Sequence, residues 1–212
     1  NYRGGYKYCY CTKSSHFRHI VEEALRNDIH LETSSAFDMP MIDALEKKGS
    51  LTKDITVICN GFKTFQYKQY IIDMLHDGFK NIIPVLDNKE EFNIYDDELD
   101  IPCSIGMRIA AEEQPDSQFY TSRLGIRMED IIEFYNHKIA PNPNFKVKLL
   151  HFFINSGISD TPYYWNELEK YTILYCKFKK INPDLDTLDI GGGMPFKDSL
   201  AFDFDYEYMV NE

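Results

Sequence analysis

The chain is punctuated by short apolar runs that start near residues 6, 30, 56, 82, 104, 147 and 187, the first four intervals being 24, 26, 26 and 22 residues. That rhythm is what a strand needs if a helix is to carry the chain back before the next parallel strand begins. The runs are 6–11 (YKYCYC), 30–34, 56–62 (TVICNGF), 82–86, 104–110 (SIGMRIA), 147–154 (VKLLHFFI) and 187–190. Helical punctuation fills the gaps. Phe17, Ile20, Val21, Ala24 and Leu25 repeat on one helical face. Ser35-x-x-Asp38 reads as a capping box, with Gly49 closing the helix behind it. A helix is expected over 64–76, stopping at Gly78, and Asn88-x-x-Glu91 caps the next. Thr161-Pro162 opens a helix expected to carry Trp165, Leu168, Thr172, Tyr175 and Phe178 on one face. A last helix begins near 206. Seven βα-type strands make the expected fold class α/β, a (β/α)8 TIM-type barrel that is incomplete. A doubly wound open sheet is the competitor, weakened by the lack of GxGxxG after the first strand.

Composition narrows the function classes. With 23 Lys and Arg against 34 Asp and Glu, the net charge of −11 argues against a nucleic-acid partner. No apolar stretch is long enough for a membrane-spanning helix, so no membrane partner is expected. Cys9, Cys11, Cys59, Cys103 and Cys176 are odd in number and widely spaced, and Cys9-x-Cys11 is too close for a CxxC pair. A reduced, cytoplasmic protein with mostly buried thiols is the expectation. The 96–100 run (DDELD) reads as a solvated acidic face.

In a barrel, chemistry sits at the C-terminal ends of the strands. There stand Lys13, Ser14 and Ser15; Ser34 and Ser35; Asn60 and Lys63; Arg108 and Glu112; His151, Asn155 and Ser156; and Gly191, Gly192 and Gly193. Three glycines after a strand let backbone N–H groups face an anion, and phosphate is the expected one, with a plain flexible turn as the alternative. A partly desolvated lysine at the mouth can attack a carbonyl, which points to a phosphorylated aldehyde held by Lys13; a solvated surface lysine is the plain alternative. Ser156 suits a phosphate or ring oxygen, or an ordinary turn. Arg108, among apolar neighbours, needs a partner, for which Glu112, Glu113 or an anionic ligand is available. His151 shares a strand face with Phe153 and reads as a satisfied core histidine.

The stretches YCYCTKSSHF (8–17), HLETSS (30–35), VICNGFK (57–63), MRIAAEE (107–113), FYTSRLGI (119–126), LLHFFINSG (149–157) and DIGGGMP (189–195) together resemble the barrel domain of fold-type III, pyridoxal phosphate (PLP)-dependent basic amino acid decarboxylases. Within that group the chain is similar to biosynthetic arginine decarboxylases, in the form carried by Bacteroidetes-type bacteria. The resemblance implies Lys13 as the Schiff-base lysine, and Glu32, Phe153, Ser156, Gly191, Gly192 and Gly193 as the other cofactor-binding residues. It implies PLP as cofactor, extends to Mg2+ as in related arginine decarboxylases, and implies decarboxylation of L-arginine to agmatine for polyamine synthesis. A homodimer or higher homo-oligomer is implied for the full-length protein, with a small-molecule amino acid as substrate.

The chain departs from the family pattern at Phe153, where a histidine commonly stacks on the cofactor, and at Ser14-Ser15, where many relatives have an asparagine two residues after the lysine. The acidic partner of the pyridine nitrogen and the C-terminal β domain are not within these 212 residues. Residues 1–212 are therefore expected to be a barrel-domain fragment, inactive alone and prone to associate through its open edge. The alternatives are another fold-type III decarboxylase (for diaminopimelate, ornithine or carboxynorspermidine), a non-catalytic PLP-binding barrel, and a phosphate-binding barrel in which Lys13 faces outward.

Overall fold

A computed structural model describes residues 3–110, 124–154 and 161–193, with 195, 197 and 203–211. Among them, seven parallel strands form one sheet in the order of the chain, β1-β2-β3-β4-β5-β6-β7. They are β1 (Cys9–Cys11), β2 (His30–Thr33), β3 (Thr56–Cys59), β4 (Asn81–Leu86), β5 (Cys103–Arg108), β6 (Phe145–His151) and β7 (Thr187–Asp189). Between them run α1 (Arg18–Arg26), α2 (Met39–Lys47), α3 (Phe65–His76), α4 (Phe92–Glu98), α5 (Ile131–Phe134) and α6 (Thr161–Lys179), and α7 (Tyr206–Asn211) follows β7. Each strand pairs with its predecessor in sequence, so the sheet is singly wound and curls into an incomplete barrel; the doubly wound competitor is excluded.

The strands are shorter than the apolar runs that announce them. Tyr6 and Tyr8 are exposed and precede β1. Gly61 adopts φ 78°, which ends β3 before the exposed Phe62. The capping signals are partly met. Thr64 Oγ1 accepts from Tyr67 N–H at 3.2 Å and starts α3. Asn88 Oδ1 accepts from Glu91 N–H at 2.8 Å before α4. At α2 only half the box forms: Asp38 reaches back to the Ser35 N–H, while the Ser35 hydroxyl turns to the Asp38 carboxylate.

Alternation along the strands separates two apolar layers. Leu31, Val57, Ile82, Ile105 and Leu150 belong to the main core with helix residues such as Val21, Ile42, Ile71 and Phe178. Ile58, Val85 and Leu149, with half-buried Cys9, form a second cluster. That cluster is tight at Gly106, where a Cβ would lie 2.9 Å from Leu149 Cδ2 and 3.0 Å from Val85 Cγ2. The buried stripe of α6 is Tyr164, Glu167, Tyr171, Leu174 and Phe178, one position off the expected face; Thr172 is exposed. Three consecutive aromatics, Tyr163, Tyr164 and Trp165, fit two helical phases equally well. Stacking of Phe152 on Tyr171 (centroids 4.4 Å apart) selects the observed one. Phe17, expected to lead the repeating apolar face of α1, instead stands exposed at its N-cap.

Phe152 is fully buried between β6 and α6. Phe152→Ala is expected to cost about 3–5 kcal/mol of stability, read from the urea midpoint; a loss under about 1 kcal/mol would show that α6 is not held by this ring.

Candidate active site

The strand registers bring a polar layer to the C-terminal end of the sheet. Cys11 pairs with Glu32 across β1 and β2. Arg108 pairs with His151, and His151 with Asp189, across β5, β6 and β7. The register shift at Ile105/Gly106 brings Arg108 level with His151. Asn60 Nδ2 donates to Glu32 Oε1 at 3.1 Å, and His151 Nδ1 donates to Asp189 Oδ2 at 2.8 Å. His151 is thus the satisfied, buried histidine that its position suggests.

Burial and the nearby Asp189 raise the pKa of Glu32 against the opposing pull of Asn60, His151 and Lys13. Burial would raise Asp189 too, but the charge and hydrogen bond of His151 and the Gly191 N–H outweigh it and hold that carboxyl below its usual value. One acid of the layer is pushed toward its neutral form and the other held ionised. Cys9 is pushed up to about 12, first by burial and then by Asp189 and Glu32. Cys11 rises through burial and Glu32, so neither thiol is activated. The five thiols are less uniformly buried than expected: Cys59 and Cys103 are buried, Cys9 and Cys11 half-buried, and Cys176 exposed.

Above this layer Lys13 sits in a short 3-10 turn, Thr12–Ser14. Its Nζ lies 5.9 Å from the centroid of the Phe153 ring, and the Arg108 guanidinium lies 5.9 Å from the same centroid. Gly191 touches that ring as well: a Cβ there would be 3.6 Å from Phe153 Cδ2 and only 2.9 Å from Phe152 O. Its φ of 70° and this close approach explain why glycine stands there. One aromatic ring therefore joins Lys13, Arg108 and the glycine turn. Two expectations need correction. Lys13 is exposed, so the described residues do not supply the desolvation anticipated for it. The Gly191 N–H is committed to Asp189 Oδ1 at 2.9 Å, which leaves the exposed Gly192 and Gly193 as the open amides.

Lys63, expected at the mouth, is instead wholly buried. Its Nζ lies 3.1 Å from Glu91 Oε1 and donates to Gly61 O and Val85 O, tying the loop after β3 to the end of β4. Burial raises the Glu91 pKa, and Lys63 opposes this. Glu91 Oε2 accepts from the Asp87 N–H at 3.1 Å, and Asp87 Oδ1 lies 3.5 Å from Arg108 Nη1. Asp87 is thus the partner that Arg108 required. Glu112, Glu113, Asn155 and Ser156 lie outside the described residues. Asp87, Asp189 and Glu91 were not foreseen in the site; the signal for Asp87 and Asp189 was an acid at or just beyond a strand end, and Glu91 stood only in the cap before α4. Among the described residues, no group of three or more His, Cys, Asp or Glu is placed to hold a metal ion, and no helix is long and apolar enough to cross a membrane.

A sheet curled into an incomplete barrel, with a lysine, an aromatic face and a glycine turn near the C-terminal ends of its strands, defines the class of an α/β-barrel protein. Comparison with known proteins agrees: residues 2–208 match the family model described as pyridoxal-dependent decarboxylase, pyridoxal binding domain, and the chain belongs to that family. It is 25% identical over 204 residues to a biosynthetic arginine decarboxylase of Alkalilimnicola ehrlichii, covering 91% of this chain and 32% of that protein. It is 24% identical to arginine decarboxylase 1 of rice over 91% of this chain and 29% of that one. The chain thus spans about a third of the length of these relatives. Among solved structures, lysine decarboxylase from Selenomonas ruminantium superposes with a TM-score of 0.77 at 19% identity, over 96% of this chain and 50% of that one. Diaminopimelate decarboxylase from Helicobacter pylori, complexed with L-lysine, gives 0.75 at 16% identity, over 97% and 52%. These likenesses bear on the fold.

The two acids carry opposite pH signatures. Glu32 is raised on folding, so its stabilising contribution is present below 4.5 and is lost as pH climbs through the folded value. Asp189 is lowered, so its contribution is present above 3.8 and is lost as pH falls through the folded value. Glu32→Gln keeps an acceptor for Asn60 and is expected to gain stability over the wild type progressively above pH 4.5. Urea midpoints measured across that range decide it; parallel curves for the two proteins would refute it.

Proposed function

We propose that this chain is the cofactor-holding barrel of a PLP-dependent decarboxylase acting on L-arginine, releasing CO2 and agmatine for polyamine synthesis. The observation that carries the cofactor assignment is Phe153, whose ring is shared by the Lys13 amine and the Gly191 turn. The residues present fit the group. Among the described residues, a Cβ at Gly192 would meet nothing within 4 Å, and the amides of Gly192 and Gly193 are exposed there, as an anion would require. Lys13 would provide the amine for the aldehyde and Phe153 a flat apolar face for the ring, and the hydroxyl of Ser156, outside the described residues, is proposed for the phosphate or ring edge. PLP, when bound, supplies the electron sink for the pair left behind as CO2 departs.

The remaining roles belong to the chain itself. Phe153 orients by stacking and, unlike a histidine, moves no proton. Glu32, its pKa raised by burial and by Asp189, is held through its Oε1 by Asn60 Nδ2. Asp189, held ionised, fixes His151 through Nδ1 and the glycine turn through the Gly191 N–H. Arg108 contributes a cation beside Phe153, anchored to Asp87, where a carboxylate or phosphate is attracted. Arginine as the substrate rests on the arginine decarboxylases among the curated relatives. The full-length protein is proposed to be a cytoplasmic homodimer or higher homo-oligomer, its site completed by residues beyond this barrel.

Phe153 also favours a second reading, a barrel that binds PLP without decarboxylating any amino acid. One experiment separates the two. Full-length protein is incubated with PLP, reduced with borohydride and mapped by mass spectrometry, and CO2 release is measured from L-arginine, L-lysine, L-ornithine and diaminopimelate. The expected result is label on Lys13, none in Lys13→Ala, and preferred turnover of arginine. Label without CO2 from any of the four would establish the second reading; a folded protein with no label on Lys13 would end both.

A further inference from the structure

The turn that carries Lys13 is fastened at three points, and one of them adds little to packing. Thr12 is buried and its Oγ1 donates to Glu32 O at 3.1 Å; Tyr10 Oη donates to Ser15 O at 3.2 Å. The third tie is His16 Nε2 to Asp38 Oδ1 at 2.6 Å. Here the His16 side chain is 55% exposed and the Asp38 side chain 0%. A carboxylate can only accept, so Nε2 carries the proton in this contact.

Asp38 divides its two oxygens between two loops. Oδ2 accepts from Ser34 N–H and Ser35 N–H, both at 2.9 Å, and from Ser35 Oγ at 3.1 Å, which settles the loop between β2 and α2. Oδ1 reaches the other loop through His16, three residues beyond Lys13. Without that imidazole, Oδ1 would be a desolvated acceptor without this donor, a costly state that the pair avoids. We propose that His16 is a positioning residue for Lys13, latching the Lys13 turn to the loop after β2 through Asp38 so that the amine is held over Phe153. This rests on the reading of Lys13 as the amine that takes the aldehyde. The latch acts on the turn rather than on the reacting atoms, and an exposed ring that contributes little burial is there for its hydrogen bond.

The test uses the full-length protein as wild type, His16→Ala, His16→Asn and His16→Gln. A glutamine amide nitrogen reaches about where Nε2 lies, whereas an asparagine amide falls short. Two quantities are read: Lys13 labelling by PLP and borohydride at sub-saturating PLP, and amide hydrogen exchange of residues 12–15 without PLP, with thermal unfolding alongside. Labelling is expected to fall on the order of tenfold in His16→Ala and His16→Asn, the scale of one charge-assisted hydrogen bond, with faster exchange in the turn. His16→Gln is expected to restore both. Equal labelling in all four proteins overturns the proposal. So does a His16→Gln that behaves like His16→Ala, or a labelling loss that merely follows a lowered melting temperature. A wild type that takes no label at Lys13 removes the underlying reading, and the proposal with it; a labelled wild type beside an unaffected His16→Ala removes the proposal alone.

Discussion

A carboxylate stripped of water must be given donors, and the mouth of this barrel is organised by acids in that position. Asp38, Asp87, Glu91 and Asp189 are all buried or nearly so. Each recruits its donors from a different strand or loop: Asp38 from the turn after β1, Glu91 from the loop after β3, Asp87 from β5, Asp189 from β6. The desolvation cost of each acid is thereby turned into a cross-link between neighbouring βα units. Backbone pairing aligns the strands, and these cross-links align their ends, where a few tenths of an ångström decide what an amine can reach.

The architecture was legible because spacing and alternation are one-dimensional signals. Strand intervals of 22 to 26 residues leave room for one returning helix and little else. Boundaries were less legible. The apolar run 56–62 continues past the end of β3 because Phe62 is exposed for reasons local composition does not reveal, and only the positive φ of Gly61 marks the true end. The phase of α6 was ambiguous for the same reason: its aromatic triplet satisfies two stripes, and the partner ring Phe152 lies on another element.

The glycine run and Lys13 stood out in the sequence because their types carry chemistry by themselves, and Phe153 stood out only through the family resemblance. Apart from Glu32, implied by the resemblance, the acids of the site were illegible. Asp87 and Asp189 look like ordinary residues at strand ends until the registers place them beside Arg108 and His151. Lys63 shows the converse. By position it reads as a mouth cation, yet three-dimensional burial with Glu91 removes it from solvent altogether. Pairings across thirty or so residues of chain are the information that a single sequence withholds.

The strictly sequential strand order has a consequence for how this molecule comes into being. Because every strand pairs with the one before it, each βα unit can dock as soon as its own chain is available, without waiting for a segment later in the chain. The polar layer at the mouth does not share that history. Glu32 on β2 and Asp189 on β7 influence one another across more than 150 residues of chain. The scaffold can therefore accumulate one unit at a time, while the electrostatic character of the mouth emerges only with the arrival of β7.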